Sequence, residues 1–413
     1  MASSAFSPFK YRDYTLYWTG NFISNIGTWM ETIALGAFVA NATGRAVWSG
    51  IIAAAGFVPS GLLSPIGGVI ADRFPRKPVL LASTSAQTIG AGVLCALAFS
   101  QHLRPGIIAF IVFLSSCAGA VAFPAYQSIV RDLVPPDEVT AAIGLGSAQW
   151  NLGRVIGPAL AGLVIAAGSI GWALFINTIS FFAVVVTLLL ITIPPTVRSL
   201  ADTGIWKSMA RGFSLVHSEP GLWVSTRAML LNTFLAAPFI GLVPAMARNV
   251  LHNEKRTLPI LVTCQGIGAV LGALTVSSLT KRHGSRWMLR FVMCAMPLAL
   301  IAYGGLSRYG VAPTAVAVGV LGGLYMMALI TFSSMSQTRA PASLRGRAIS
   351  VNTTILGLVY PLGALLQGAV GDHIGLGQTT MYAGIAFAAI VLATRVFRPA
   401  FTLPLSVPSA ATA

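Results

Sequence analysis

GVIADRFPRK, residues 68–77, places one acid and three cations between two long apolar segments. Before it, Val47 to Ala71 carries no charged side chain over 25 residues; after it, Val79 to Gln101 carries none over 23. A helix rises about 1.5 Å per residue, so either segment can cross about 30 Å of hydrocarbon. The stretch therefore reads as a tight hairpin loop on one face of a membrane. Basic residues are retained on the cytoplasmic side, so the loop is expected inside the cell.

The rest of the chain has the composition that such a hairpin requires. Of its 413 residues 55% are hydrophobic and only 9% charged, with a mean hydropathy of +0.80. Soluble domains are about 25% charged. The net charge of +16 is spread singly or in twos and threes between apolar spans, with no basic stripe and no nucleic-acid module. Four cysteines, Cys95, Cys117, Cys264 and Cys294, fall inside apolar spans without paired spacing and read as small core residues. No GxxxxGKS phosphate loop, HExxH or metal-spaced Cys/His set occurs. No cofactor or metal is expected, and neither is an enzyme.

Apolar runs of membrane length number twelve, at about 15–39, 47–71, 79–100, 106–130, 139–167, 171–193, 223–247, 258–280, 287–306, 312–334, 346–370 and 378–400. The expected fold is an all-α membrane protein of twelve transmembrane helices in two six-helix bundles, residues 1–193 and 223–400. Between them, 194–222 is the longest polar interval. There Trp206, Met209, Phe213 and Val216 recur at helical spacing among Lys207, Arg211 and His217, which reads as a surface helix lying along the membrane. Residues 401–413 form a tail. With both termini inside, 19 of the 26 basic residues fall on the cytoplasmic side, six outside, and Arg154 within a span; shifting the assignment by one helix would reverse that bias. TKRHGSR after the eighth span repeats the position of ADRFPRK after the second, so the halves are expected to be pseudo-symmetric, with a site near the midplane between them.

Two formal charges lie deep in spans, Glu31 and Arg154. A charge at the bilayer centre costs about 2.5–3.5 kcal/mol on insertion scales, so such residues face a bundle interior or water and are functional candidates. On the first span Asn21, Ser24, Asn25, Thr28, Glu31 and Thr32 share an arc of about 120°. Glu31 reads as a proton carrier or counter-charge to a cation, or as a structural partner between helices. On the fifth span Arg154 aligns with Ser147, Asn151 and Pro158; it could hold an anionic group, act on Glu31, or tie neighbouring carbonyls together. Proton or substrate contacts are thus expected at Glu31, Arg154, Asn25, Thr28 and Asn151.

Gly68, Asp72, Arg73, Arg76 and Lys77 resemble the loop signature of the major facilitator superfamily, with Pro75 where glycine is usual. Gly144, Gly153, Gly157, Pro158 and Gly162 are similar to the fifth-helix motif of exporters in that superfamily, with Ala161 in place of one final glycine. Through NIGTWMET, LSPIGGVIADRFPRK and NLGRVIGPALAG the chain resembles the exporter subfamily that contains the enterobactin exporter and macrolide-efflux proteins. The resemblance implies a proton-coupled antiporter of small amphipathic molecules such as drugs or siderophores, a monomer in the bacterial inner membrane. It also implies that the loop bearing Asp72 and Arg73 latches a cytoplasmic gate. An importer or facilitator of a small metabolite is the alternative, and a non-transporting receptor a more distant one.

Overall fold

The computed structural model describes residues 6–167, 169–193, 213–251, 254–341 and 345–397. Most of the interval expected to hold the surface helix, and the tail, lie outside the described residues. Among the described residues the chain is helical, without strands. In chain order the helices are α1 Arg12–Thr43, α2 Val47–Arg73, α3 Arg76–Phe99, α4 Pro105–Leu133, α5 Val139–Ala167 and α6 Ile170–Leu190. After the interval come α7 Pro220–Leu231, α8 Pro238–Asn249, α9 Glu254–Leu306, α10 Val311–Arg339, α11 Arg345–Ile374 and α12 Leu376–Phe397.

Ten helical stretches of the described residues are long and apolar enough to cross a membrane. One of them runs unbroken through α7, a π-helical segment Asn232–Ala236, and α8. Another is the 53-residue α9, which reverses at Gly284, where φ is +82°. That left-handed backbone is open to glycine at no steric cost, so α9 makes two passes, as the loop reading of TKRHGSR expects. With that reversal and the 29-residue α5, the fold is consistent with twelve passes.

Helix ends are closed by local chemistry wherever the sequence offers it. Gly44 takes φ +68° and returns its N–H to the Ala40 carbonyl, which stops α1. Glu219 caps α7 by accepting the Leu222 N–H, and Pro220 sits at the first helical position, where no N–H is missed. α2 has no such cap of its own. Its start is capped instead by Asp372, from the second half of the chain.

In hydrocarbon, helices associate by close packing of small residues rather than by the hydrophobic effect. Gly268 and Gly272 on the first arm of α9 meet the backbone of Gly319 and Gly323 on α10, so closely that a Cβ on either of the first pair would strike a carbonyl oxygen. Two small-xxx-small ridges thus interlock. All four cysteines are free thiols.

The core divides unevenly. One large cluster joins the last six helices to Met30, Ile33, Ala34, Ala37, Ala46, Ala161 and Ala173 of the first six. A second, built on Tyr14, Tyr17, Leu80, Ala125, Ile129, Leu133, Val184 and Leu188, contains residues of the first six helices alone. The end of the bundle at which α1 starts is called the near end, and the one at which it finishes the far end. The residues that the first six helices give to the shared core lie at mid-depth and the far end.

Candidate functional site

The two groups of helices meet along a seam running from the far end to mid-depth. Asp372, at the last turn of α11, accepts the backbone N–H groups of Ala46 and Val47 at 2.5 and 3.2 Å, which caps the uncapped start of α2. A carboxylate there satisfies orphan amides and faces the positive end of the helix dipole. Arg45 adds a 3.7 Å ion pair from a mostly exposed position. Beside it Arg248 of α8 donates to the Ala40 carbonyl at 2.6 Å, and Asn249 donates to the Gly44 carbonyl at 3.3 Å. Further along the seam Gly50 lies against the backbone of Ala364 and Leu365, and Gly61 against Gly357. A Cβ on Gly357 would stand 2.5 Å from the Gly61 nitrogen, which no side chain can relieve.

At mid-depth the seam becomes aromatic and cationic. The guanidinium carbon of Arg154 on α5 stands 5.2 Å from the Trp29 ring centroid of α1 and 6.0 Å from that of Tyr325 on α10. Trp29 meets Trp150 edge to face at 6.0 Å, Phe57 meets Tyr360 at 4.9 Å, and Phe239 meets Tyr325 at 5.8 Å. Arg154 therefore bridges the two groups of helices through rings. Among the described residues it has no carboxylate within ion-pairing distance. Desolvated cation–π contacts contribute about 2 kcal/mol each, against about 2.5–3.5 kcal/mol for a charge at the bilayer centre. Two such rings are of the same order as that cost, so Arg154 can be kept at depth without a carboxylate partner.

Glu31 takes a different direction. Its carboxylate accepts a hydrogen bond from the Asn177 side-chain amide of α6 at 2.5 Å, one turn beyond Gly27, whose Cβ position is filled by Asn177 and Ser180. Asn177 is itself fully buried. No ion pair joins Glu31 to Arg154 among the described residues. The polar arc of α1 is thus divided between neighbours: Asn25 packs under Gly153 of α5, while Glu31 turns to α6. Thr28 is half-buried and accepts the Thr32 hydroxyl at its carbonyl.

The fifth-helix glycines are mostly explained by contact. A Cβ on Gly153 would meet Asn25 at 2.9 Å, one on Gly157 would meet Trp29 at 2.6 Å, and one on Gly162 would meet Pro259 of α9 at 2.8 Å. Gly162 therefore belongs to the far-end seam. Pro158 is buried inside α5, and Gly144 has open space around it. The side chains of Asn151 and Asp72 lie outside the described residues.

The loop at 68–77 makes contacts within the first six helices. Arg76 pairs with Asp132 at the end of α4 and reaches the Ser128 carbonyl at 3.4 Å. Lys77 donates to the carbonyls of Leu189 and Ile191 at 3.1 and 2.8 Å. Arg73 is exposed, and Gly68 has nothing near its Cβ position. On the other side Arg339 of α10 holds Glu219 at 2.7 Å, within the last six helices. Among the described residues these near-end ties stay within one group or the other.

Sequence reasoning missed Asn177 and Asp372. Asn177 carried a signal, an amide with Ser180 one turn away in a span otherwise free of strong polar groups. Asp372 stood as a lone acid at the end of an apolar span, and its partners are backbone amides, which leave no mark in a sequence.

A helical membrane protein whose two groups of helices pinch around a mid-depth cation and a ring cluster, with a separate carboxylate nearby, has the architecture of a carrier for small molecules. Over residues 3–406 the chain matches the family described as transmembrane secretion effector, and it belongs to that family. It is similar to macrolide efflux protein A of Streptococcus pyogenes, 21% identical over 94% of this chain and 96% of the relative. The staphyloferrin A transporter of Staphylococcus aureus is 24% identical over 91% and 94%. The enterobactin exporter EntS of Shigella flexneri is 26% identical over 74% and 72%. Among solved structures, a mutant of the nucleoside transporter NupG superposes with a TM-score of 0.74 at 15% identity, covering 94% of this chain and all of that one. A bacterial homologue of the lysosomal transporter Spinster gives 0.71 at 15% identity over 94% and 98%. The fold is that of the major facilitator superfamily, and the protein is a membrane transporter rather than an enzyme.

Proposed function

We propose that this transporter is a proton-coupled exporter of small amphipathic molecules, working by alternating access between residues 1–193 and 223–400. The observation that carries the reading is the one-sided seam. The far end is bonded shut through Asp372, Arg248 and the Gly50–Ala364 contact, while near-end ties stay within each group. With the basic near end cytoplasmic, as the retention of cations inside requires, this is the state that receives cargo from the cell interior. Both termini then lie in the cytoplasm, and the membrane is the bacterial inner membrane.

Glu31 is the proton site in this reading. It has one amide partner and no counter-ion among the described residues, so gaining or losing a proton breaks no ion pair. Inverted vesicles from an efflux-deficient bacterial host, given an imposed proton gradient, test both parts with a panel of macrolides and siderophores. Uptake of a panel member that collapses when the gradient is dissipated is the expected result for the wild type. Glu31→Gln should lower that uptake to the level of vesicles lacking the protein; unchanged uptake would remove the proton role, and gradient-driven movement in the opposite sense would make the chain an importer.

A further inference from the structure

We infer that the ring cluster around Arg154 is the cargo site for an aromatic acid, with the guanidinium taking the acid's anionic group and Trp29 and Tyr325 taking its ring. This rests on the transporter reading above and names the class of cargo. Three observations converge at one depth. Arg154 stands over Trp29 and Tyr325, at 5.2 and 6.0 Å, with no carboxylate paired to it among the described residues. The Trp29 indole N–H beside it is buried without an acceptor, although an indole N–H in an apolar setting normally finds one. The membrane-embedded carboxylate nearby in sequence, Glu31, is committed to Asn177 of α6. A cation and the indole N–H of the ring it stands over thus both lack an acceptor, and a carboxylate or phenolate would supply acceptor oxygens for both. An arginine fork suits a planar bidentate anion, and the flanking rings favour an aromatic body set edge to face.

Placement adds to this. Trp29, Phe57 and Arg154 come from the first six helices, and Tyr325, Tyr360 and Phe239 from the last six. An anion bound there touches both groups and stands below the far-end closure, where Gly50 meets Ala364 and Asp372 caps α2.

The test uses three probes on one skeleton, 2-naphthoate, 2-naphthamide and 2-naphthylmethylamine, titrated into the full-length protein in lipid nanodiscs with tryptophan fluorescence as readout. The expected order is the carboxylate tighter than the amide by about tenfold, as for a hydrogen bond to a charged group, with the amine weakest. Arg154→Gln should erase the gap between carboxylate and amide, Arg154→Lys should restore part of it, and Arg76→Ala, at the near-end loop, should leave it intact. An amine that binds as tightly as the carboxylate overturns the inference. So does a gap that survives in Arg154→Gln, or binding by none of the three. If Arg154→Gln does not fold, the wild-type order and the Arg154→Lys variant decide alone. Gradient-driven uptake with a failed probe order leaves the exporter reading standing without this cargo class. The probe order without such uptake leaves the site and removes the export.

Discussion

The two ends of the seam are built from similar materials and do opposite things. At the far end a carboxylate, an arginine and an asparagine reach across it, from Asp372 to the Ala46 and Val47 amides and from Arg248 and Asn249 to the Ala40 and Gly44 carbonyls. At the near end the charges are more numerous, yet Arg76 pairs with Asp132 and Arg339 with Glu219, each inside its own group. The near-end pairs hold a bundle together, whereas the far-end bonds hold two bundles to each other. A closure made of backbone caps and glycine contacts can be undone as a unit, because few side chains must be desolvated again when it reforms.

That contrast can be broken most strongly at Gly357. Valine there drives a branched side chain into the α2 backbone, and overpacking of this kind costs about 1–3 kcal/mol. At tenfold per 1.4 kcal/mol, the ratio of closed to open far ends should fall by about 5- to 150-fold. Spin labels at the exposed Asn41 and His373, in a background with the four cysteines replaced, read this as a longer inter-label distance. Asp372→Ala is expected to be next in size. Losing a helix cap and its dipole contact costs about 1–2 kcal/mol, a shift of about 5- to 30-fold on the same labels. Arg45→Ala should move them far less, since its pair is long and mostly exposed. The smallest effect on the labels, none at all, is expected of Arg76→Ala. That change should instead lower the melting temperature, because it strands Asp132 and exposes a tie between α3 and α4.

Much of the fold was legible because hydrocarbon imposes length and polarity limits on every span. The expected limits 79–100 and 312–334 became Arg76–Phe99 and Val311–Arg339, and the loop reading of TKRHGSR fell on the turn at Gly284. The site was legible in part. Glu31 and Arg154 stood out as charges at depth. What the periodicity of one helix cannot show is which neighbour each degree of its surface meets. An arc of about 120° on α1 looked like one polar face, yet α5 and α6 both pack within reach of it, and Glu31 and Asn25 went to different partners. Bonds to backbone, such as those of Asp372, are invisible to side-chain patterns altogether.

The five π-turn residues Asn232–Ala236 interrupt the seventh pass. Gln367 of α11 donates its amide to the Phe234 and Leu235 carbonyls at 3.2 and 3.0 Å, so oxygens loosened by the wider turn keep a partner. Below this interruption α7 is tethered to α10 through Glu219 and Arg339; above it α8 is tethered to α1 through Arg248. A rod fastened at its two ends to different bodies bends at its weakest section. Here that section carries its own splint, so the pass can act as a universal joint rather than a lever.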